Sequence, residues 1–148
     1  MKNYLLFLLP LFGISNTQTS CAPKGDVIMT NIAKEDLLGK WQWVLSRRES
    51  RMNGTTETTP EDLGKTMLVE FTVDDKVNVY HDGQLVTTNT YELSNPGTDN
   101  QTMLKVTVNG QYVEPNCESG PISLKGKTLT ISGGYNDAGS TQVFEKMD

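Results

Sequence analysis

The sequence predicts an all-β domain: an eight-stranded antiparallel up-and-down barrel preceded by a short helical turn. Three observations lead there. From residue 66 to the end, apolar and polar residues alternate in short runs of β-forming residues, separated by turn residues at even spacing. The connections are too short to carry the crossover helices that parallel strands need. Finally, strands this rich in Thr and Val would present aggregation-prone edges in an open sheet, and closure removes those edges.

In chain order, Asn31 offers a cap, acidic residues follow in an early turn, and Ala33 and Leu37 are apolar, so one or two helical turns are expected before Gly39. In the first strand Trp41, Trp43 and Leu45 share one face and Gln42, Val44 and Ser46 the other, with the first set expected inward. Residues 48–65 are rich in Thr, Glu, Asn and Gly around Pro60 and read as a long polar loop. Met67, Val69 and Phe71 then alternate with Leu68, Glu70 and Thr72. Val77 and Val79 follow a turn at Asp74-Asp75, and His81-Asp82-Gly83 turns into a strand from Leu85 to Leu93.

After a loop at Asn95–Asn100, Met103–Val108 and Gln111-Tyr112-Val113 flank Asn109-Gly110, a dipeptide suited to a tight I′ turn, so a hairpin is expected there. The Pro115–Pro121 stretch breaks the pattern. Ile122-Ser123-Leu124, Leu129-Thr130-Ile131 and Val143-Phe144-Glu145 supply the last strands, with a turn at Gly133-Gly134. The expected interior is Trp41, Trp43, Leu45, Met67, Val69, Phe71, Val77, Val79, Leu104, Val106, Leu129 and Ile131, while the side taken by Tyr91, Tyr112 and Phe144 stays open.

The run Leu37-Leu38-Gly39-Lys40-Trp41-Gln42-Trp43-Val44 resembles the Gly-x-Trp start of lipocalins, and especially the small lipocalin-like (calycin) domains of bacterial lipoproteins. The likeness extends by pattern to about Lys146. It implies that Gly39 bends the backbone beneath the closing end of the barrel and that Trp41 plugs that end. It also makes Met52–Leu63 a lid over the mouth, beside the plainer reading of a surface loop. An eight-stranded barrel holds side chains or one small ligand, so the domain is either a container or a filled plug. For a container, the candidate ligand-binding residues are Trp43, Phe71, Val79, Tyr91 and Tyr112, taken as the bulky walls nearer the mouth.

The first twenty residues read as a secretory signal: Lys2 supplies positive charge, Tyr4–Ile14 is apolar but interrupted by Pro10 and Gly13, and Thr19-Ser20 leads to Cys21. A cysteine after a small residue here resembles a lipoprotein cleavage box, with Gln18 in place of the usual aliphatic residue. That resemblance makes Cys21 the lipidated first residue of the mature chain, and Ala22 after it implies the outer membrane, facing either side. Three segments result: a signal at 1–20, a tether at 21–31 and the barrel domain at 32–148. Only Cys21 and Cys117 exist, so no disulfide framework is available; an unlipidated Cys21 would leave a Cys21–Cys117 bridge as the rival.

Charge narrows the partners. Losing Lys2 with the signal leaves 12 basic against 18 acidic residues, which argues against nucleic acid. Arg47-Arg48, near Arg51 and Glu49, reads as a solvated strand end. No His cluster, Cys-x-x-Cys, phosphate loop or serine elbow appears. Asp74-Asp75 with Asp82, and Asn95 with Asp99 and Asn100, carry oxygen ligands without the spacing of a calcium loop, and turn formation explains them. Cys117 with His81 is the one conceivable nucleophilic pair, and nothing in the spacing marks it. No cofactor, metal site or catalytic residue is expected.

The sequence therefore leads to a monomeric, lipid-anchored, non-catalytic lipocalin-like protein with a small apolar or amphipathic ligand. The alternative is an envelope-associated interaction module with a filled barrel, and an enzyme is the third class, for which no constellation of residues is present.

Overall fold

The computed structural model describes residues 28–50, 52, 54–95, 101–110, 113–133 and 139–148. Among these the order is β1 (Ile28–Met29), α1 (Lys34–Leu37), β2 (Gly39–Ser50), β3 (Gly54–Thr58), α2 (Pro60–Leu63), β4 (Met67–Phe71), β5 (Lys76–His81), β6 (Gln84–Ser94), β7 (Met103–Thr107), β8 (Gly120–Lys125), β9 (Thr128–Gly133) and β10 (Ser140–Lys146). Strands β2 and β4 to β10 form a closed eight-stranded antiparallel barrel in which each strand pairs with the next and β10 returns to β2. Short connections enforce this meander, and closure leaves the ring without a free edge.

One end of the barrel is shut by side chains. Gly39 has φ +111°, a backbone state that L residues rarely adopt, and from there the chain turns out of α1 into β2. Trp41 is fully buried, its indole N–H donates to the Leu37 carbonyl at 2.7 Å, and the Lys146 ammonium stands 5.0 Å from its ring centre. Lys146 in turn donates to the Asp36 carbonyl. Ile32 and Leu37 lie buried against this end, and Thr102 Oγ1 holds Ile32 through its N–H (2.8 Å) and carbonyl (3.3 Å). Phe71, paired with Gly39 across β4 and β2, meets Tyr91 edge-on at 5.1 Å.

The expected inward set is buried with few exceptions, Val106 being half-buried against the core. Leu45 is a correction: it is only half-buried. Val143 pairs with Leu45 and Phe144 with Trp43, so Val44 is an extra residue, a bulge that reverses the faces of β2 beyond it. Ser46 and Arg48 inherit the inward side. A second bulge skips Val86 between the pairs Val79–Thr87 and Tyr80–Leu85. Ile32, Leu37, Cys117, Ile122 and Leu124 join the core beyond the expected set.

Two further expectations are corrected. The long loop at 48–65 is largely ordered: β2 continues to Ser50, pairs with β3 in a hairpin fixed on its outer face by Arg47 and Glu57 (2.6 Å), and α2 follows with Thr59 as cap. Thr-rich polar composition reads as loop, yet it suits a solvent-facing hairpin. The hairpin expected around Asn109-Gly110 falls on Gln111 and Tyr112, which lie outside the described residues; β7 pairs with β6 and, through Met103 and Leu104, with β8. The sheet's own pairing begins at Ile28 and Met29, which lie on β8 within the expected tether.

Candidate functional site

The open end of the barrel is stoppered by chain rather than by a lid. Residues 114–118 fold into the mouth, where Asn116 and Cys117 are buried at 2% and 3% exposure. Four bonds seat them. His81 Nε2 lies 2.7 Å from the Pro115 carbonyl, which can only accept, so that nitrogen carries the proton. Gln142 donates from Nε2 to the Asn116 carbonyl (2.8 Å) and accepts at Oε1 from the Glu118 N–H (3.0 Å). Ser140 donates to the Glu118 carboxylate at 2.6 Å. Gln142 reaches the mouth because it alternates with buried Phe144 along β10, placing an amide at the level of Ser46 and Ile131.

Asn116 is the centre of this arrangement. Its Oδ1 accepts from the Cys117 N–H at 2.8 Å and from Asn89 Nδ2 at 3.4 Å, while Asn89 Oδ1 accepts from the Asn109 N–H. Two donors facing one atom require that atom to be oxygen, so the opposite position is the NH₂ group. That Nδ2 is buried and has no hydrogen-bond partner among the described residues. An unmade bond at a buried donor costs about 1–3 kcal/mol.

Asn116 also borders a pocket of about 540 Å³. Buried Trp43, Asn116 and Gln142 line it from the barrel side, and Ser46 and Arg48, turned inward by the Val44 bulge, line it from the hairpin. Trp43 is itself oriented by donation from its indole N–H to Ser46 Oγ at 3.0 Å. Leu63 of α2 adds an apolar wall, and Glu49, Lys65, Glu114 and Glu118 supply the remaining charge.

A second hollow, about 690 Å³, lies where β8 pairs with β7 only through Gly120 and Pro121. Its lining is mostly small, including Ser119, Gly120, Ser132, Gly133 and Ser140. Glycine is required at 120, where a Cβ would stand 1.9 Å from the Ser132 carbonyl oxygen.

The structure divides the expected ligand residues. Trp43 lines the mouth pocket. Phe71 and Tyr91 belong to the closed end, and Tyr91 O–H donates to the Thr72 carbonyl there, so they are not walls near the mouth. Val79 is fully buried opposite Val69 and Thr87 and lines neither hollow. Tyr112 and Cys21 lie outside the described residues. Met52 is exposed, and of the expected lid only Thr56, Thr58 and Leu63 line the mouth pocket. Sequence reading missed Asn116, Gln142 and Ser46; Arg48, read as a solvated strand end, is exposed near the end of β2 and also borders the pocket. The broken pattern at 115–121 and the alternation of Gln142 with Phe144 were the available signals.

Other chemistry is absorbed by structure. Cys117 is sealed in the mouth, and burial, with Glu118 adding to it, pushes its thiol up to about 12, so it stays protonated at neutral pH. Asp74 pairs with Lys76 (2.5 Å) and Asp75 with Lys34 (2.6 Å), while Asp82 accepts from the Thr66 N–H. Among the described residues no three His, Cys, Asp or Glu side chains converge as a metal site, and no helix is long and apolar enough to cross a membrane. Comparison with protein-family models, curated proteins and solved structures returned no match.

Proposed function

We propose that this chain is a lipid-anchored, lipocalin-like binding protein of the cell envelope, non-catalytic, that takes a small amphipathic molecule at the mouth of its barrel. The observation that carries the reading is the mouth pocket. Its volume of about 540 Å³ falls in the range of small-molecule sites, roughly 300–1,000 Å³, and it joins apolar walls at Trp43 and Leu63 to a few polar groups. The ligand lies above the packed core and not deep within the tube, because Trp41, Met67, Val69 and Phe71 already fill the interior. Anchorage rests on the signal-like leader and Cys21. Several acyl chains on one cysteine hold a protein firmly, at about 0.8 kcal/mol per buried methylene.

Native mass spectrometry of the mature protein, purified from its source cell, tests the proposal. The expected result is a Cys21-acylated chain carrying a small molecule that organic extraction removes. A protein of unacylated mass overturns the anchor, and a chain that arrives empty and takes up no amphiphile overturns the ligand.

One observation favours the alternative, an envelope-associated interaction module with a filled barrel. The plug at 114–118 and the packed core leave the tube itself without room. On that reading the same experiment returns protein without a small molecule.

A further inference from the structure

The geometry points to a docking surface at the closed end of the barrel: this end sits on a phospholipid bilayer carrying anionic headgroups, and the mouth faces the water on the far side. The inference rests on the proposed acylation of Cys21 and goes beyond it by fixing which end meets the membrane.

The direction of the first strand comes first. Ile28 pairs with Lys125 and Met29 with Leu124, beside the turn at Gly126-Lys127 that joins β8 to β9 at the closed end. Strand β8 runs down from Gly120 to Lys125, and β1 is antiparallel to it, so β1 leaves the closed end and heads toward the mouth. A chain entering β1 therefore comes from the closed-end side. Cys21 stands seven residues before Ile28, and seven residues span at most about 25 Å. An acyl anchor there draws the domain in by its closed end.

Charge separates the two ends further. Around the closed end Lys34, Lys40, Lys76, Lys125, Lys127 and Lys146 stand against Glu35, Asp36, Glu70, Asp74, Asp75, Glu145 and Asp148, one negative charge in excess among the described residues. Around the mouth Arg47, Arg48 and Lys65 stand against Glu49, Glu57, Glu61, Asp62, Asp82, Glu114 and Glu118, an excess of four. Three of the closed-end carboxylates are ion-paired, Asp75 with Lys34, Asp74 with Lys76 and Asp148 with Lys127, while Lys40 and Lys125 are exposed. An anionic surface repels the mouth and accepts the closed end, where exposed lysines meet headgroup phosphates. Strands of six or seven residues, at about 3.3 Å each, hold the rims farther apart than a Debye length of about 8 Å, so the mouth carboxylates are screened from lipid at the other end. Exposed apolar side chains occur at both ends, Ile28, Val73 and Met147 at one and Met52 and Leu85 at the other, so chain direction and charge make the choice.

Native methionines report the orientation. Met29 (41% exposed) and Met147 (46%) lie at the closed end, and Met52 (93%) lies by the β2–β3 hairpin at the mouth. Sulfoxide formation by dilute hydrogen peroxide follows exposure and is read by peptide mass spectrometry. The mature acylated chain on mixed phosphatidylcholine and phosphatidylglycerol vesicles is compared with the Cys21→Ala chain free in solution. The expected result is oxidation of Met147 about fivefold or more slower on vesicles, with Met29 slowed alongside it and Met52 at its solution rate. Lys40→Glu combined with Lys125→Glu raises the closed-end excess from one to five, above the four at the mouth, and should return Met147 toward its solution rate on these vesicles at low salt. If that variant does not fold, the wild-type rates decide. Protection of Met147 undiminished in a folded double variant overturns the recognition of anionic lipid. Slowing at Met52 with Met147 unchanged, or no slowing at either in a chain that floats with the vesicles, overturns the orientation and leaves the anchor standing. A wild-type chain that does not float with them overturns the anchor, and the orientation with it.

Discussion

The two ends of this barrel close by opposite chemistry. At the α1 end the stopper is apolar mass: Trp41, Leu37 and Ile32 are buried, the Trp41 indole N–H donates to the Leu37 carbonyl, and Thr102 Oγ1 meets the backbone N–H and carbonyl of Ile32. At the mouth the stopper is a chain segment held by side-chain amides, with Asn89, Asn116 and Gln142 all buried. Apolar packing is non-directional and scales with buried area, whereas amide networks depend on every member being satisfied. One end therefore rests on packing, and the other on an amide network in which one buried donor, Asn116 Nδ2, has no partner among the described residues.

The largest effect belongs to the closed end. Trp41→Ala removes a fully buried indole, strands the Leu37 carbonyl and takes the ring from beneath Lys146, and is expected to destabilise the whole barrel by about 3–5 kcal/mol. Chemical denaturation followed by circular dichroism measures it. A loss under about 1 kcal/mol would show that this end does not hold the fold, and the contrast between the ends would collapse.

That contrast explains what the sequence could reveal. The closed end was legible because Gly39 and Trp41 are residue types with few other uses at that spacing, and alternation carried the strands after Met67. Counting by twos failed at Val44, where one inserted residue turns Leu45 outward and brings Ser46 and Arg48 in; an insertion depends on the partner strand and leaves no local mark. Asn116 was invisible because polar residues in a Pro- and Gly-bounded stretch are ordinarily exposed, and only the folded chain shows that this one is sealed.

A smaller and more local effect is expected at the mouth. Gln142→Leu keeps the volume of the side chain but leaves the Glu118 N–H and the Asn116 carbonyl without their partner, at a loss of about 1–3 kcal/mol. The barrel strands should stay protected while the plug opens, so amide hydrogen exchange should accelerate across 114–119 and stay slow in β4 and β5. Uniform acceleration through every strand would mean that the plug and the barrel are one cooperative unit and that the mouth is no weaker than the base.

The smallest effect sharpens the comparison through pH. Inside the plug, burial foremost and Glu118 next push the Cys117 thiol from its ordinary 9.0 up to about 12. Below about pH 9 the folded and unfolded chains both keep the proton, and the contribution of the sealed thiol to stability is fully present. Between about 9 and 12 only the unfolded chain releases it, so stability falls as pH rises, by about 1.4 kcal/mol per unit, and the contribution is gone once the folded thiol also ionises. Tyr80, held by Glu70, and buried Tyr91 are raised as well, so the slope of the wild type alone is not diagnostic. The difference between the wild type and Cys117→Ala in denaturant midpoints from pH 8 to pH 10 isolates the thiol, and the wild type should lose about 1.4 kcal/mol more by pH 10. In Gln142→Leu that difference should shrink, because a plug that opens lets water reach the sulfur before the barrel unfolds. An undiminished difference there would place Cys117 with the core of the barrel and not with its stopper, and the division between a structural base and an adaptable mouth would have to be drawn above residue 117.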